Sequence, residues 1–212
     1  MAAYERNVFI NCPFDNEYTD LFNAILFTVH RCGFVLRCSK EFQDTSSIRM
    51  NNIMQLIDES KYSIHDLSRV NFEGENQLPR FNMPLELGVF MGCRKWGGKK
   101  HKDKAYLIIE SEQFRFKQFI SDISGQDIRS HDNEPQKVVG CIRNWLAPKT
   151  DELIPSPTII WDEYLEFQRN LPDLCAISKW VVSELTFDEY STLVTSWLAL
   201  SADAKYAGVK LD

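Results

Sequence analysis

The sequence lacks long apolar runs, paired cysteines and a metal-ligand pattern, although it has 212 residues and six cysteines. No apolar run approaches the roughly 18–20 residues that a membrane span needs. The cysteines form no Cys-x-x-Cys pair and have no histidine at a ligand spacing, which predicts reduced thiols rather than disulfides or a zinc site. Residues 1–7 are polar and do not resemble a signal peptide. These absences predict a cytoplasmic protein with no membrane contact and no bound metal.

Positive charge is also scarce, and it is unevenly distributed. The net charge is −6, and residues 151–212 hold 4 Lys+Arg against 11 Asp+Glu. Overall acidity argues against nucleic acid as a bulk partner, because phosphate binding needs a positive field. One basic cluster flanks Gly97 and Gly98, and it is either a solvated loop or a rim that attracts phosphate. Its members are Arg94, Lys95, Lys99, Lys100, Lys102 and Lys104.

Residues 1–150 alternate between short apolar runs and segments of helical period. The runs predict strands over 8–12, 34–38, 62–67 and 105–109, and helices from about Asn16, Ser47, Met83, Phe116 and Gln136. Repeated strand and helix is the pattern of a parallel sheet with helices on both faces. Short strands in rapid alternation favour a flavodoxin-like order. The turn after the first strand contains no glycine, which excludes a Rossmann fingerprint.

Three prolines between positions 148 and 157 mark a boundary. We therefore expect an α/β domain over residues 1–150 and a helical extension over residues 151–212. Helices are predicted over 161–170 and 185–201, the second with a capping box formed by Thr186 and Glu189. The tryptophans of the extension predict ordered helices that either cover the α/β domain or form a self-association surface. A homo-oligomer, or a complex with a partner effector protein, is expected.

Candidate site residues follow from the edge at which parallel sheets bind ligands, beyond the carboxyl ends of the strands. Segments after the first strand, at the end of the third strand and before the following helix all reach this edge. The candidates in chain order are Cys12, Phe14, Asp15, Asp66, Ser68, Arg80, Asn82, Glu86 and His131. Cys12 is alternatively a small core residue, and His131 an ordinary loop histidine.

Glu86 is the strongest candidate for chemistry. The predicted helix places it in the first turn, where the helix dipole favours an ionised carboxylate that is available as a nucleophile. Leu85, Leu87 and Val89 are expected to surround it with apolar side chains. Asn82 and Arg80 lie just upstream as hydroxyl and anion ligands. The alternative is a purely structural acidic residue that stabilises the helix dipole.

Two motifs, His65–Ser68 and Pro84–Gly92, resemble those of nucleoside 2-deoxyribosyltransferases and related nucleotide N-glycosidases, which are similar in outline to TIR domains. Val8–Asp15 also resembles the first strand and loop of either group. The resemblance implies a TIR-like α/β fold and cleavage of the C1′–N bond of NAD⁺ or a related nucleotide. It gives Glu86 the role of nucleophile or oxocarbenium-stabilising group and makes Asp66 a contact to the base or the sugar hydroxyls.

This resemblance implies that NAD⁺ is a substrate and that no cofactor is needed. It further implies a hydrolase that acts as a bacterial defence effector or signal generator. The alternative function is a non-catalytic nucleotide-sensing module that signals to a partner through its C-terminal helices.

Overall fold

A single parallel sheet organises the chain. The computed structural model describes residues 3–44, 46–69 and 81–207. Its strands are β1 (Asn7–Asn11), β2 (Val35–Arg37), β3 (Tyr62–Asp66), β4 (Ala105–Glu110) and β5 (Arg129–Ser130). Their order in the sheet is β2-β1-β3-β4-β5, and every pair is parallel. This is the flavodoxin-like order, so the predicted α/β fold class is confirmed.

Helices cover both faces of the sheet. The described helices are α1 (Ala3–Arg6), α2 (Thr19–Arg31), α3 (Arg49–Glu59), α4 (Asn82–Trp96), α5 (Pro135–Leu146), α6 (Pro157–Ser178) and α7 (Phe187–Ala207). Alternate residues of β1 point to opposite faces, so Ile10 packs in the cluster that contains α2 and α5, and Phe9 packs with α3 and α4. Both faces of the sheet are therefore buried.

The C-terminal helices pack on α2 and α5 and extend the core on that face. The ring centroid of Phe27 on α2 lies 5.7 Å from that of Phe167 on α6 and 5.8 Å from that of Trp197 on α7. All three side chains are buried and belong to one hydrophobic cluster with Ile10. The expectation of ordered helices that cover the α/β part is confirmed. The domain division and the self-association surface stay predictions.

Several predicted elements have other bounds in the structure, and α1 and β5 were not predicted. Residues 116–123 form two short 3₁₀ turns instead of an α-helix, because the backbone of Ile120 (φ −141°, ψ 72°) leaves the helical region between them. The strand β5 has two residues, too few to show a period. Helix α6 continues past Asn170 and through Pro172, because Leu171 and Cys175 are buried on its inner face.

The predicted capping box is present at the start of α7. The backbone N–H of Thr186 donates to Glu189 Oε2 at 2.8 Å, and the N–H of Glu189 donates to Thr186 Oγ1 at 3.3 Å. Within the residues that the structure describes, no helix combines the length and the apolar character of a membrane span.

Candidate functional site

The strand register brings four chain segments to one edge of the sheet. Asn11 pairs with His65, Asp66 with Ile109, and Glu110 with Ser130. The carboxyl ends of β1, β3, β4 and β5 therefore lie side by side. The residues that follow these ends meet at the edge where open α/β sheets bind ligands.

Glu86 lines a cavity of about 270 Å³ at this edge. The cavity is bounded by the loop after β1, by the start of α3 and by the first two turns of α4. Its lining residues are Asn11, Cys12, Pro13, Phe14, Asp15, Arg49, Asn82, Met83 and Glu86. Five of the predicted site residues thus share one cavity, namely Cys12, Phe14, Asp15, Asn82 and Glu86.

The carboxyl group of Glu86 is buried and has no polar partner in the described part of the chain. Its side chain is 8% exposed, and no described residue makes a hydrogen bond or ion pair with it. Burial raises the pKa of Glu86 to about 7, and the nearby Arg49 guanidinium opposes that rise. A protonated population of Glu86 is therefore present at neutral pH.

This result corrects the expectation of an ionised carboxylate at a helix N-terminus. Helix α4 begins at Asn82, so Glu86 is its fifth residue and lies beyond the first turn, where the free N–H groups are. Loss of water outweighs the weak dipole at that depth. The expected apolar surround is also incomplete, because Leu87 is buried but Leu85 is 58% exposed.

Asp66 is in the opposite situation, because its buried carboxylate is saturated by protein donors. It accepts hydrogen bonds from the Tyr18 hydroxyl, from the Ser68 hydroxyl, from the Ser68 backbone N–H at 2.7 Å and from His131 Nε2 at 3.0 Å. Burial acts to raise the pKa of Asp66, but the hydrogen bonds from His131, Ser68 and Tyr18 outweigh it and the pKa is lowered. Asp66 is therefore held ionised.

His131 is fully buried within the same network. Its Nδ1 accepts from the backbone N–H of Asn133 at 3.1 Å, so Nε2 carries the proton that faces Asp66 and Ser68. Asp132 and Asn133 adopt left-handed φ values of 51° and 57° to make this turn. Because Asp66 and Ser68 share one ring nitrogen, the group does not have the geometry of a Ser-His-Asp hydrolase triad.

A second buried carboxylate, Glu110, lies beside this network at the end of β4. Its Oε1 accepts from Arg115 Nη2 at 2.7 Å and from the Ser111 N–H at 3.0 Å. Arg115 also donates to the backbone carbonyl of Ser68. Burial raises the pKa of Glu110, and Arg115 opposes that rise. The pair ties the end of β4 to the loop after β3.

Cys12 lines the Glu86 cavity, and the charges of both Glu86 and Asp66 act on its thiol. Burial raises the pKa of its thiol well above the usual value, and the charges of Asp66 and Glu86 add to that rise. A thiol of this kind is a poor nucleophile, which favours the interpretation of Cys12 as a small core residue on the cavity wall.

The predicted residues therefore fall into two groups. Cys12, Phe14, Asp15, Asn82 and Glu86 line the cavity, whereas Asp66, Ser68 and His131 form the buried network. A contact between Asp66 and a ligand would require one protein donor to move. Arg80 lies outside the described residues. No group of three or more potential metal ligands occurs among the residues that the structure describes.

Arg49 and Tyr18 were not among the predicted site residues. Arg49 is the first residue of α3 and lies at the cavity, and Tyr18 donates to Asp66 from 48 residues away. The loop after β2 reaches the same sheet edge as the other strand ends, and this rule identifies Arg49 as a candidate. No local signal identifies Tyr18, because its partner is distant in sequence.

Comparison with known proteins gives no match to a family model, to a curated protein or to a solved structure. The fold class therefore rests on the strand order, and a function has to be inferred from the buried carboxyl groups of Glu86, Asp66 and Glu110 and from the groups around them.

Proposed function

We propose that this protein is an N-glycosidase or ribosyl transferase that cleaves the C1′–N bond of NAD⁺ or a related nucleotide. The observation that carries the proposal is the buried Glu86 carboxyl group, which lines a cavity at the ligand-binding edge without a polar partner among the described residues. A buried carboxyl group left without donors costs stability, and such costs concentrate at functional sites.

The chemistry of bond cleavage suits this group. Departure of a base leaves positive charge on the sugar, and a nearby carboxylate stabilises that charge or traps the sugar covalently. The attraction between the two charges is stronger at a buried carboxylate than at an exposed one, because the surroundings have a lower dielectric constant. With a pKa of about 7, Glu86 has both an ionised and a protonated population at neutral pH.

The other polar groups of the cavity suit a sugar phosphate. Arg49 is exposed and donates to Ser39 Oγ at 3.2 Å, so its guanidinium remains able to bind a phosphate. Asn82 is exposed and supplies an amide for a hydroxyl group. The volume of about 270 Å³ fits a sugar or a single nucleoside rather than a whole dinucleotide. One end of a larger substrate would therefore extend outside.

Incubation with NAD⁺ and a panel of nucleosides and nucleotides tests the proposal, with released base measured by chromatography. Glu86→Gln keeps the shape and removes the charge, so we expect the rate to fall about 10³-fold. The matched control is Glu112→Gln, an exposed carboxylate that follows β4 at the same edge. It should retain the wild-type rate. Base release by Glu86→Gln at the wild-type rate would overturn the assignment.

A second candidate function is a nucleotide sensor without turnover. Pro13, Phe14 and Asp15 line the Glu86 cavity and also line a groove against the C-terminal helices. A ligand in the cavity would therefore contact the loop on which those helices rest. Calorimetric binding of a nucleotide by the wild-type protein, with no released base, would favour this function over catalysis. A role in defence stays a prediction of the resemblance.

A further inference from the structure

A groove next to the Glu86 cavity, which shares Pro13, Phe14 and Asp15 with it, runs between the start of α2 and the C-terminal helices. Its volume is about 590 Å³, within the usual range for small-ligand sites. Aromatic rings form much of its wall, namely Phe14, Tyr18, Phe22, Trp161, Tyr164, Phe187 and Tyr190. The face of an aromatic ring carries partial negative charge, so a wall of this kind favours a cation.

One cation of the chain already lies against two of these rings. The ammonium nitrogen of Lys40 is 5.1 Å from the ring centroid of Phe14 and 4.9 Å from that of Phe22. Both distances are within the roughly 6 Å reach of a cation–π contact. Lys40 is exposed, and it makes no ion pair with a residue that the structure describes. The two rings therefore contact an ammonium group that forms no ion pair with a described carboxylate.

Carboxylates outnumber cations in the groove. Among Asp, Glu, Lys, Arg and His residues, the lining contains Asp15, Asp20 and Lys40. Asp15 is 3.6 Å from Arg69, whereas Asp20 forms no ion pair within the described ranges. Burial raises the pKa of Tyr164 to about 12, and the charge of Asp20 adds to that rise. Asp20 therefore lies close enough to Tyr164 and Tyr190 for its charge to act on that side of the groove.

We propose that this groove binds a small organic ammonium ion. The cationic head lies against the ring faces near Asp20, and its carbon substituents pack on Trp161 and Leu165, the latter being 38% exposed. Lys40 competes with the ligand, because its ammonium group repels a second cation and already contacts the rings of Phe14 and Phe22. The site does not depend on the reaction proposed for Glu86.

The probe pair is choline and 3,3-dimethylbutan-1-ol, which have the same shape and differ by one positive charge. Each is titrated into the full chain, and the dissociation constant is measured by ligand-observed NMR. Choline should bind at least threefold more tightly than the neutral alcohol, because cation–π and carboxylate contacts act on the charge alone. Equal affinity for the two probes would overturn the proposal.

Two variants with opposite effects locate the site. Asp20→Asn should weaken choline binding about threefold or more, and Lys40→Ala should strengthen it by a similar factor, with the alcohol unaffected in both. Glu112→Gln and Lys99→Ala make the same changes in net charge at exposed residues that do not line the groove. They should leave choline affinity unchanged. If these controls shift the affinity as much as the groove variants, choline responds to overall charge and the proposed site is wrong.

Discussion

Glu86 and Asp66 are two buried carboxyl groups at one edge of the same sheet, and their surroundings differ completely. Asp66 accepts four hydrogen bonds from Tyr18, Ser68 and His131, whereas Glu86 has no polar partner among the described residues. The pKa of Asp66 is lowered and that of Glu86 is raised to about 7. Burial alone therefore does not decide the charge of a carboxyl group; the supply of donors does. The saturated group stabilises the fold, and the unsaturated group is available to a ligand.

Removal of the Asp66 charge is expected to have the largest effect on stability. Asp66→Asn leaves the His131 N–H and the Tyr18 hydroxyl beside an amide that supplies one acceptor atom in place of two. Each buried donor left without an acceptor costs about 1–3 kcal/mol of unfolding free energy, and more than one donor is affected. Urea denaturation measures it. Glu86→Gln, which loses no described partner, should unfold within about 1 kcal/mol of the wild type at pH 5. An equal loss of unfolding free energy in the two variants would mean that Asp66 does not stabilise the fold more than Glu86 does.

The pH dependence of stability separates the same two groups. The folded-state pKa of Glu86 is raised, so the folded protein binds more protons than the unfolded chain between about pH 4.5 and 7. Stability therefore falls as the pH rises through this window, by about 3 kcal/mol from this group alone. Urea titrations at several pH values should show a smaller fall for Glu86→Gln. An identical pH profile in the variant would mean that Glu86 does not carry the shift.

Much of the fold was predictable because the strands are buried on both faces. Their apolar runs are visible in the sequence without any alternation, and the helices between them show a 3.6-residue period. Residues 116–123 have apolar residues at helical spacing, yet they form 3₁₀ turns. Tertiary contacts determine the backbone conformation of this segment, and the local spacing of apolar residues contains no information about those contacts. A strand as short as β5 has no period to detect.

The position of the candidate site at the sheet edge was predictable from the sequence, but the hydrogen bonds within it were not. The rule for strand ends identified Glu86, Asp66 and His131. It did not predict that His131 would bond Asp66, because the two are 65 residues apart. The protonation of Glu86 depends on where α4 begins. A shift of the helix start by one residue determines whether the carboxylate contacts the free N–H groups. Helix boundaries are uncertain at that level in any sequence.

Arg49 gives a smaller test of the Glu86 cavity. Its guanidinium opposes the rise in the pKa of Glu86, so Arg49→Met should raise that pKa further. If Arg49 binds a substrate phosphate, the variant should also lose about tenfold in affinity for a nucleotide but not for the matching nucleoside. Calorimetry with both ligands makes the comparison. An equal loss of affinity for the nucleotide and the nucleoside would mean that Arg49 does not bind the phosphate.

The most direct test of the contrast between the two carboxyl groups is a ¹³C NMR titration of the side-chain carboxyl carbons, assigned through Glu86→Gln and Asp66→Asn. We expect Glu86 to titrate near pH 7 and Asp66 to stay ionised below the pH range in which an aspartate usually titrates. A bound nucleotide should shift the Glu86 signal and leave the Asp66 signal in place. A Glu86 pKa near the ordinary value of 4.5, with no change in its signal on addition of any nucleotide, would contradict this expectation. Glu86 would then be a solvated helix residue, and the proposed reaction would lack its catalytic carboxylate.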